Sequence, residues 1–420
     1  MYGVRHQQFP CQAAAVVYRT RSVHMSVDVN QLLSSDRLLA YLFPLILFFV
    51  CFQLGGNPLR RLRDLRRETY RILYGSTAAR TGHFPLVRAL LSYEHYVGLS
   101  RQEISTMRSS YERLRWAHKQ IGYELGYTKK LEQLEHAVLI NAKITEAIAK
   151  LGRNDYREPL RGSYLSSGDT YGDVGRVGES LKHFVRDWSE EGKQERTTIF
   201  DPILDLLKEV DAELRPTKRV LVPGSGLGRL AWEISQLGYS TTANELSFFM
   251  NLAFRFLLSG ETTESPNQHV VQPYASWFSH QRTNDALFRA VRFPDVVPRK
   301  SDALQFAECD FLSLHPPPSP SSGQPVGYDY VVTLFFIDTS LNIIETIEHI
   351  HELLKPGGIW INLGPLLWTN GGQAAVELGL DEVLRLIQMV GFSMGEEADK
   401  QATMKWLYEA EFWVAVKMER

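Results

Sequence analysis

A strand, a glycine turn, a helix and a second strand follow one another between residues 219 and 245. The apolar run 220–222 is typical of a buried parallel strand, and Gly224, Gly226 and Gly228 follow it. Apolar residues at helical spacing continue to Gly238, where a helix should end, and a second strand leads to Glu245. A glycine turn lets backbone approach a ligand, and an acid after the second strand can accept both hydroxyls of a ribose. The unit therefore predicts an α/β fold with a nucleoside cofactor.

The spacing of the glycines narrows the choice of cofactor. Pyrophosphate binders usually carry Gly-x-Gly-x-x-Gly, whereas here the third glycine comes early, in Gly224-Ser-Gly-Leu-Gly. S-adenosylmethionine has a ribose to hold but no phosphate, so the spacing favours this methyl donor over a dinucleotide. A tight turn with no ligand is the alternative interpretation of the same glycines.

Composition excludes several classes of protein. The 420-residue chain has a net charge of −2 with acids and bases mixed, which argues against nucleic-acid binding. Three scattered cysteines, Cys11, Cys51 and Cys309, predict neither a disulfide framework nor a zinc site, and we expect no metal. A reducing compartment fits best, so we expect the cytosol, with the nucleus as a second location.

Residues 1–82 are predicted to be an N-terminal extension. Its segment 38–54 is almost wholly apolar and uncharged, and its length of 17 residues is the lower limit for a membrane span. An arginine-rich stretch follows it. A membrane anchor and a gene-model artefact are equally good interpretations, and a buried helix is a weaker one. Under all three, the remainder of the chain is expected on the cytosolic side.

A helical domain with a linker or lid is predicted for residues 83–200. Ile104, Met107, Tyr111 and Leu114 are spaced three and four residues apart, which gives a helix one apolar stripe. The stretch 152–180 is rich in Gly, Ser, Tyr and Arg without periodicity and is predicted to be the linker or lid.

An α/β domain that would bind the methyl donor is predicted for residues 201–420, because strands and helices continue to alternate after Glu245. Ser247 should cap a helix that ends at Leu258, and residues 259–302 are an insertion. Further strands are expected at 304–309, 328–336, 359–363 and 406–416, with helices at 339–354 and 380–390. This alternation predicts a mostly parallel, doubly wound sheet.

Ligands of such sheets bind beyond the carboxyl ends of the strands. That rule selects the glycine turn, Glu245, Asp310 with Phe311, and Asp338. Asp310 could accept the amine of an adenine while Phe311 stacks on the ring. Asp338 lies where a methyl acceptor would bind, but it could equally cap the helix that follows it.

Five segments make the chain resemble the carnosine N-methyltransferase family, from about His83 to the C-terminus. They are His183-Phe-Val-Arg-Asp-Trp-Ser, Leu221-Val-Pro-Gly-Ser-Gly-Leu-Gly-Arg-Leu-Ala-Trp-Glu, Phe293-Pro-Asp-Val, Phe335-Phe-Ile-Asp-Thr and Leu354-Lys-Pro-Gly-Gly-Ile-Trp-Ile-Asn-Leu-Gly-Pro-Leu-Leu. The resemblance implies a Rossmann-like class I S-adenosylmethionine-dependent methyltransferase sheet with an N-terminal helical domain. It also implies methylation of the imidazole of carnosine, which gives anserine, or of a related His-containing dipeptide.

The resemblance further implies two sets of site residues. The cofactor-binding set is His183 (the family usually has glutamine), Arg186, Gly224, Gly226, Glu245, Asp310 and Phe311. The substrate-binding set is Asp338, also the catalytic residue, with Thr369, Trp406 and Tyr408. Thr369 stands where the family has histidine, and Trp406 stands where it has tyrosine.

Other functions compete with carnosine methylation. The chain could methylate another imidazole, such as a protein histidine, or bind S-adenosylmethionine without catalysis; a dinucleotide oxidoreductase is the weakest alternative. The expected partner is a small His-containing dipeptide, with no nucleic acid, and with a membrane only if segment 38–54 is a real anchor. The helical domain could supply a homodimer interface.

Overall fold

The structure is a computed structural model that describes residues 86–157, 173–275, 278, 281–318, 326–368, 373–394 and 411–418. The chain divides into two units, of which the second, Phe84–Arg420, contains all of the described residues. Segment 38–54 lies outside the described residues. Within the described ranges, no helix combines the length and the apolar character that crossing a membrane requires. The predicted boundary near residue 200 falls inside the second unit and stays a prediction.

Nine strands are found in the described residues. In chain order they are β1 (Arg219–Pro223), β2 (Ser240–Asn244), β3 (His269–Val271), β4 (Val291–Phe293), β5 (Leu304–Ala307), β6 (Tyr328–Leu334), β7 (Leu354–Gly364), β8 (Phe392–Met394) and β9 (Glu411–Lys417). Seven form one sheet in the order β5-β2-β1-β6-β7-β9-β8, while β3 and β4 form a separate antiparallel pair inside the insertion.

Eleven α-helices accompany them in the same part of the chain. They are α1 (Leu86–Glu94), α2 (Tyr96–Glu112), α3 (Trp116–Glu124), α4 (Tyr127–Asp155), α5 (Val174–Trp188), α6 (Lys193–Lys208), α7 (Arg229–Gln236), α8 (Phe248–Leu258), α9 (Asn284–Leu287), α10 (Ile343–Leu353) and α11 (Leu380–Val390).

The main sheet confirms the predicted fold. Strands β5, β2, β1, β6 and β7 are parallel, and β9 runs antiparallel to β7 at the other side. Side chains of β1 alternate between two cores: Val220 and Val222 pack in one with the helices α4 to α8, and Leu221 packs in the other with α10 and α11. Both faces of the sheet are therefore covered, which is why its central strands are continuous apolar runs.

The strand order reverses at β1. From β1 the chain first moves outward to β2 and β5, then returns to β6 on the opposite side of β1. In open α/β sheets this point leaves a crevice beyond the carboxyl ends of the strands. The glycine turn begins directly after β1 and so lies at this crevice.

The helices before the sheet follow the predicted apolar stripe in part. Ile104 is buried and Met107 packs against the core, but 43% of Leu114 is exposed because it lies at the corner between α2 and α3. The helix expected at 339–354 begins four residues later, at Ile343, because Asn342 caps it. Ser247 precedes α8 as predicted, but its side chain makes no capping hydrogen bond.

Candidate functional site

The glycine turn is a sharp left-handed bend between β1 and α7. The backbone angle φ is +61° at Gly224, +55° at Gly226 and +70° at Gly228, a region that other residues enter only with strain. A Cβ at Gly224 would lie 2.6 Å from the ring of Phe336, and one at Gly228 would lie 2.0 Å from the ring of Phe254. At Gly226 the nearest atom is His183 Cδ2, at 3.9 Å. The backbone of Gly226 is thus the part of the turn that a ligand can approach.

Glu245 holds this turn from the end of β2. Its Oε2 accepts a hydrogen bond from the backbone N–H of Gly226 at 2.9 Å, and its Oε1 accepts one from that of Ser247 at 2.7 Å. Burial raises the pKa of the Glu245 carboxyl, and the backbone donors oppose that shift. Each oxygen keeps a further lone pair, so the carboxylate can still accept hydroxyl donors.

The polar face of α5 lies opposite the turn. Side chains recur on it every three or four residues and line a cavity of about 270 Å³ together with the turn, Glu245, Ser247 and Phe335; these side chains are Arg176, Glu179, His183 and Arg186. The structure therefore brings together five of the seven predicted cofactor residues, His183, Arg186, Gly224, Gly226 and Glu245.

The pKa values of the two α5 side chains that were predicted from the sequence, His183 and Arg186, are shifted in opposite directions. The ring Nδ1 of His183 lies 2.8 Å from the carbonyl oxygen of Glu179, the contact of an Nδ1–H donor, which leaves Nε2 for another partner. Burial lowers the pKa of His183, and the nearby charge of Arg186 lowers it further, so both effects favour the neutral ring. Burial also opposes the charge of Arg186, but Asp187, which accepts two hydrogen bonds from it at 2.6 and 3.1 Å, raises its pKa.

Asp310 and Phe311 follow β5 and are not among the residues that line this cavity. The amide nitrogen of Asn244 donates to the carbonyl oxygens of Ala307 and Cys309, at 2.9 and 2.8 Å, and so ties their loop to the end of β2. The ring of Phe311 meets that of Phe336 edge-on, with centroids 5.2 Å apart. Their predicted role as an adenine clamp stays a prediction.

Asp338 lies in the short helical turn Ile337–Thr339 directly after β6. Only 3% of the residue is exposed. Its Oδ2 accepts a hydrogen bond from the backbone N–H of Leu367 at 3.3 Å, and its Oδ1 is buried with no hydrogen-bond partner among the described residues. Burial raises its pKa, and the backbone donors oppose the shift. Its interpretation as a helix cap is wrong, because Asn342 accepts the bond from the N–H of Glu345 that opens α10.

The chain between β6 and Asp338 is bent into an unusual conformation. Phe335 has a φ of +51°, which a bulky residue adopts only when its surroundings hold it there. Its N–H donates to the carbonyl oxygen of Leu363 at 2.9 Å, and a Cβ at Gly364 would lie 3.0 Å from its nitrogen. This bend places Phe335 at the cavity and the ring of Phe336 against Gly224, two residues before Asp338.

A buried ion network at the cavity, which Asp187 and Arg229 help to line, has no counterpart in the sequence prediction. Asp295, in the insertion, accepts hydrogen bonds from Arg196 of α6 and from Arg229, the first residue of α7. Trp188 donates from its ring nitrogen to the carbonyl oxygen of Leu227 at 2.9 Å. The sequence signal that could have indicated this network is the family resemblance, because its segments contain Asp187, Arg229 and Asp295. Arg196 lies outside those segments, and no sequence signal indicated it.

The remaining substrate positions cannot be placed. Thr369, Trp406 and Tyr408 lie outside the described residues, and their roles stay predictions. Within the part of the chain that the structure describes, no three His, Cys, Asp or Glu side chains are grouped so that they could hold a metal ion.

Comparison with known proteins gives the family. A family model described as carnosine N-methyltransferase matches residues 167–419. The chain belongs to the carnosine N-methyltransferase family. It is 33% identical over 292 residues to the carnosine N-methyltransferase of Mus musculus, covering 65% of this chain and 70% of the mouse protein. It is 31% identical over 359 residues to that of Schizosaccharomyces pombe, covering 78% of this chain and 94% of the yeast protein. A solved magnesium protoporphyrin IX methyltransferase from Synechocystis is 14% identical, with a TM-score of 0.33, over 64% of this chain and 94% of that one.

Membership of the carnosine N-methyltransferase family confirms the resemblance predicted from the five segments. All of them lie within the matched residues. The segment at 183–189 provides the last turns of α5, that at 221–233 the glycine turn, and that at 335–339 the bend with Asp338.

Proposed function

We propose that this chain transfers the methyl group of S-adenosylmethionine to a ring nitrogen of carnosine, giving anserine, or of a closely related His-containing dipeptide. The observation that carries the proposal is Asp338, a buried carboxylate whose Oδ1 has no partner among the described residues, at the strand end next to the glycine turn. A buried carboxylate with an open acceptor position matches the N–H of an imidazole.

The cavity suits the proposed cofactor. Glu245 can accept the two ribose hydroxyls, because each carboxylate oxygen has used one acceptor position on backbone. Arg186 can bind the carboxylate of the methionine part, and the neutral His183 can accept from its ammonium group through Nε2. The backbone of Gly226 allows close approach. Stacking of Phe311 on the adenine rests on the sequence and its family resemblance alone, because Phe311 does not line this cavity. When bound, S-adenosylmethionine supplies an electrophilic methyl group on a sulfonium.

Asp338 would act on the acceptor by orienting it. A carboxylate that accepts the N–H of one ring nitrogen fixes the tautomer, so that the lone pair of the other nitrogen is free to attack. The same carboxylate stabilises the positive charge that develops on the ring, as the aspartate of a catalytic triad does for histidine. A neutral imidazole is already a good nucleophile, so orientation should give most of the rate, worth up to ~7–11 kcal/mol in well-oriented systems.

The identity of the acceptor depends on residues outside the described ranges. Thr369 and Trp406 depart from the family residues, while Tyr408 and Asp338 match them. A wider or differently polar substrate site could accept another imidazole, such as a histidine in a protein. Carnosine is favoured because the chain covers most of the length of relatives that carry this name.

A transfer assay with parallel acceptors tests the proposal. The full chain is incubated with methyl-labelled S-adenosylmethionine and with carnosine, homocarnosine or a His-containing peptide. We expect labelled anserine from carnosine and less label in the peptide. Transfer to the peptide alone would indicate that the acceptor is a histidine in a protein. Cofactor binding with no transfer would favour a non-catalytic role.

We also propose a homodimer through the helical part and a cytosolic or nuclear location, without nucleic acid. Helix α3 and the residue after it expose a group of large apolar side chains: Trp116 is 77% exposed, Tyr123 67% and Leu125 77%. Contiguous exposed apolar groups often mark protein interfaces. Sedimentation of the native chain and of Trp116→Glu would test the dimer, which the substitution should weaken. A membrane location depends on segment 38–54, and fractionation of cells expressing the chain with and without residues 1–82 would test it.

A further inference from the structure

Three segments that are distant in the sequence meet at one carboxylate. Asp295 accepts a hydrogen bond from Arg196 Nη2 at 2.7 Å and two from Arg229, from Nη1 at 2.6 Å and from Nη2 at 3.2 Å. Its backbone N–H donates to the carbonyl oxygen of Trp188 at 2.8 Å. Asp295 thus contacts α6, the start of α7 and the end of α5 at the same time.

The charges at this position depend on one another. The side chains are 4% exposed for Arg196, 9% for Arg229 and 11% for Asp295. Burial lowers the pKa of Arg196, and Asp295 opposes that shift. Arg229 opens a helix, where a positive charge is unfavourable, and it is compensated by Asp295 and by Glu233 at 2.6 Å. Without Asp295, Arg196 would lose its partner carboxylate, and Arg229 would lose one of its two partner carboxylates.

Both arginines also bind the backbone at the end of α5. Arg196 Nη1 donates to the carbonyl oxygens of Arg186 and Ser189, each at 2.7 Å. Arg229 Nη1 donates to the carbonyl oxygen of Asp187 at 3.2 Å. The last turn of α5 carries Arg186 into the cavity, and its carbonyl oxygens bind both arginines. Because both arginines pair with Asp295, this carboxylate links the end of α5 to Arg229 at the start of α7.

Given the cofactor-binding function proposed above, we infer that Asp295 is a positioning residue for the cofactor pocket. It sets the distance between its two walls, α5 with Arg186 on one side and the glycine turn with α7 on the other. It does not line the cavity itself. Its effect on S-adenosylmethionine is indirect, and it should not extend to the acceptor site around Asp338, which β6 and β7 position.

The substitution Asp295→Asn tests this, because it keeps the shape and removes the charge that pairs the arginines. Isothermal titration measures the Kd of S-adenosylhomocysteine, and steady-state kinetics at saturating S-adenosylmethionine measure the KM of carnosine. We expect the Kd to rise on the order of tenfold, since small displacements of positioning groups have large effects. The KM of carnosine should change by less than about twofold, because its contacts are unaltered.

Two further variants complete the design. Arg196→Lys keeps the charge but cannot bind Asp295 and two carbonyl oxygens at once, so we expect a smaller rise of the Kd, about threefold. If Asp295→Asn does not fold, this variant tests the inference in its place. Glu191→Gln is the matched control, because Glu191, between α5 and α6, pairs at the surface with Arg289 of the insertion at 2.7 Å; this substitution should leave the Kd unchanged.

The outcomes separate the possible failures. A lower melting temperature with unchanged Kd, or equal changes in the Kd and in the KM of carnosine, would mean that Asp295 has a general structural role and would overturn the inference. If the unsubstituted chain does not bind S-adenosylhomocysteine, the proposed cofactor function fails, and this inference fails with it.

Discussion

Replacing Asp338 by asparagine should abolish most methyl transfer while leaving the fold intact. Asparagine has the same shape, and its amide oxygen can still accept the hydrogen bond from the N–H of Leu367 at Oδ2. The NH₂ group then occupies the buried Oδ1 position, where it meets the N–H of the substrate ring donor to donor. The substitution thus removes both the acceptor and the negative charge.

The size of the effect follows from the lost hydrogen bond. A hydrogen bond to a charged group contributes about 1.5–3 kcal/mol. Because each ~1.4 kcal/mol of transition-state stabilisation changes the rate tenfold, kcat/KM for carnosine should fall by about 10- to 150-fold. The Kd of S-adenosylmethionine should change little, since Asp338 does not line the cofactor cavity.

Unlike kcat/KM, the thermal stability of Asp338→Asn should not decrease. Burial raises the folded-state pKa of Asp338, so this group contributes less stability as the pH rises from its ordinary pKa of 3.8 through the raised value. Asp338→Asn removes that unfavourable charge, and its melting temperature at neutral pH should be equal or higher. Asp329→Asn is the control: Asp329 lies at the other end of β6, accepts from the N–H of Arg219 at 2.8 Å and pairs with Lys355. It should lower the melting temperature and leave kcat/KM unchanged.

Kinetics with carnosine, titration with cofactor and thermal melts measure all three quantities for both variants. A kcat/KM of Asp338→Asn within threefold of the native value would refute the role given to this carboxylate.

Three further predictions concern the cofactor pocket. Glu245→Gln should raise the Kd of S-adenosylmethionine about tenfold by titration, because both carboxylate oxygens accept backbone N–H groups and an amide can satisfy only one; an unchanged Kd would contradict this. Gly226→Ala should weaken cofactor binding and keep the melting temperature within a few degrees of the native value. Gly228→Ala should lower the melting temperature strongly, since its Cβ would lie 2.0 Å from a phenylalanine ring. Equal melting temperatures of the two variants would contradict this turn geometry. Cofactor affinity should fall as the pH drops below 6.5 through the lowered pKa of His183, because protonated Nε2 cannot accept, and His183→Gln should remove this dependence; an identical pH profile in both proteins would exclude it.

The sequence predicted the order of the elements around the glycine turn because their signals are local. Strand β1, the glycine turn, α7, β2 and Glu245 are consecutive, so periodicity and glycine positions are enough to order them. Asp310 and Phe311 could be placed at a strand end by the same alternation, but the contact of Phe311 with Phe336 depends on a neighbouring strand and could not be predicted.

Two features could not be predicted, for physical reasons. Asp338 and Asn342 are both good capping residues and lie four positions apart, so only the tertiary structure shows that Asn342 caps α10 and Asp338 is buried. The pairing of Asp295 with Arg196 joins residues 99 positions apart, and no periodicity connects them. Leu114 shows a related limit, since the stripe it continues ends where α2 ends.

The position of the transferred methyl group tests the central claim most directly. Carnosine is reacted with S-adenosylmethionine labelled with ¹³C in its methyl group, and the product is examined by NMR. The proposed orientation by Asp338 predicts a single ¹³C-methyl resonance coupled to the imidazole ring protons, identical to that of anserine. A label on the amino group of β-alanine, or no labelled carnosine while cofactor binding is retained, would contradict the account.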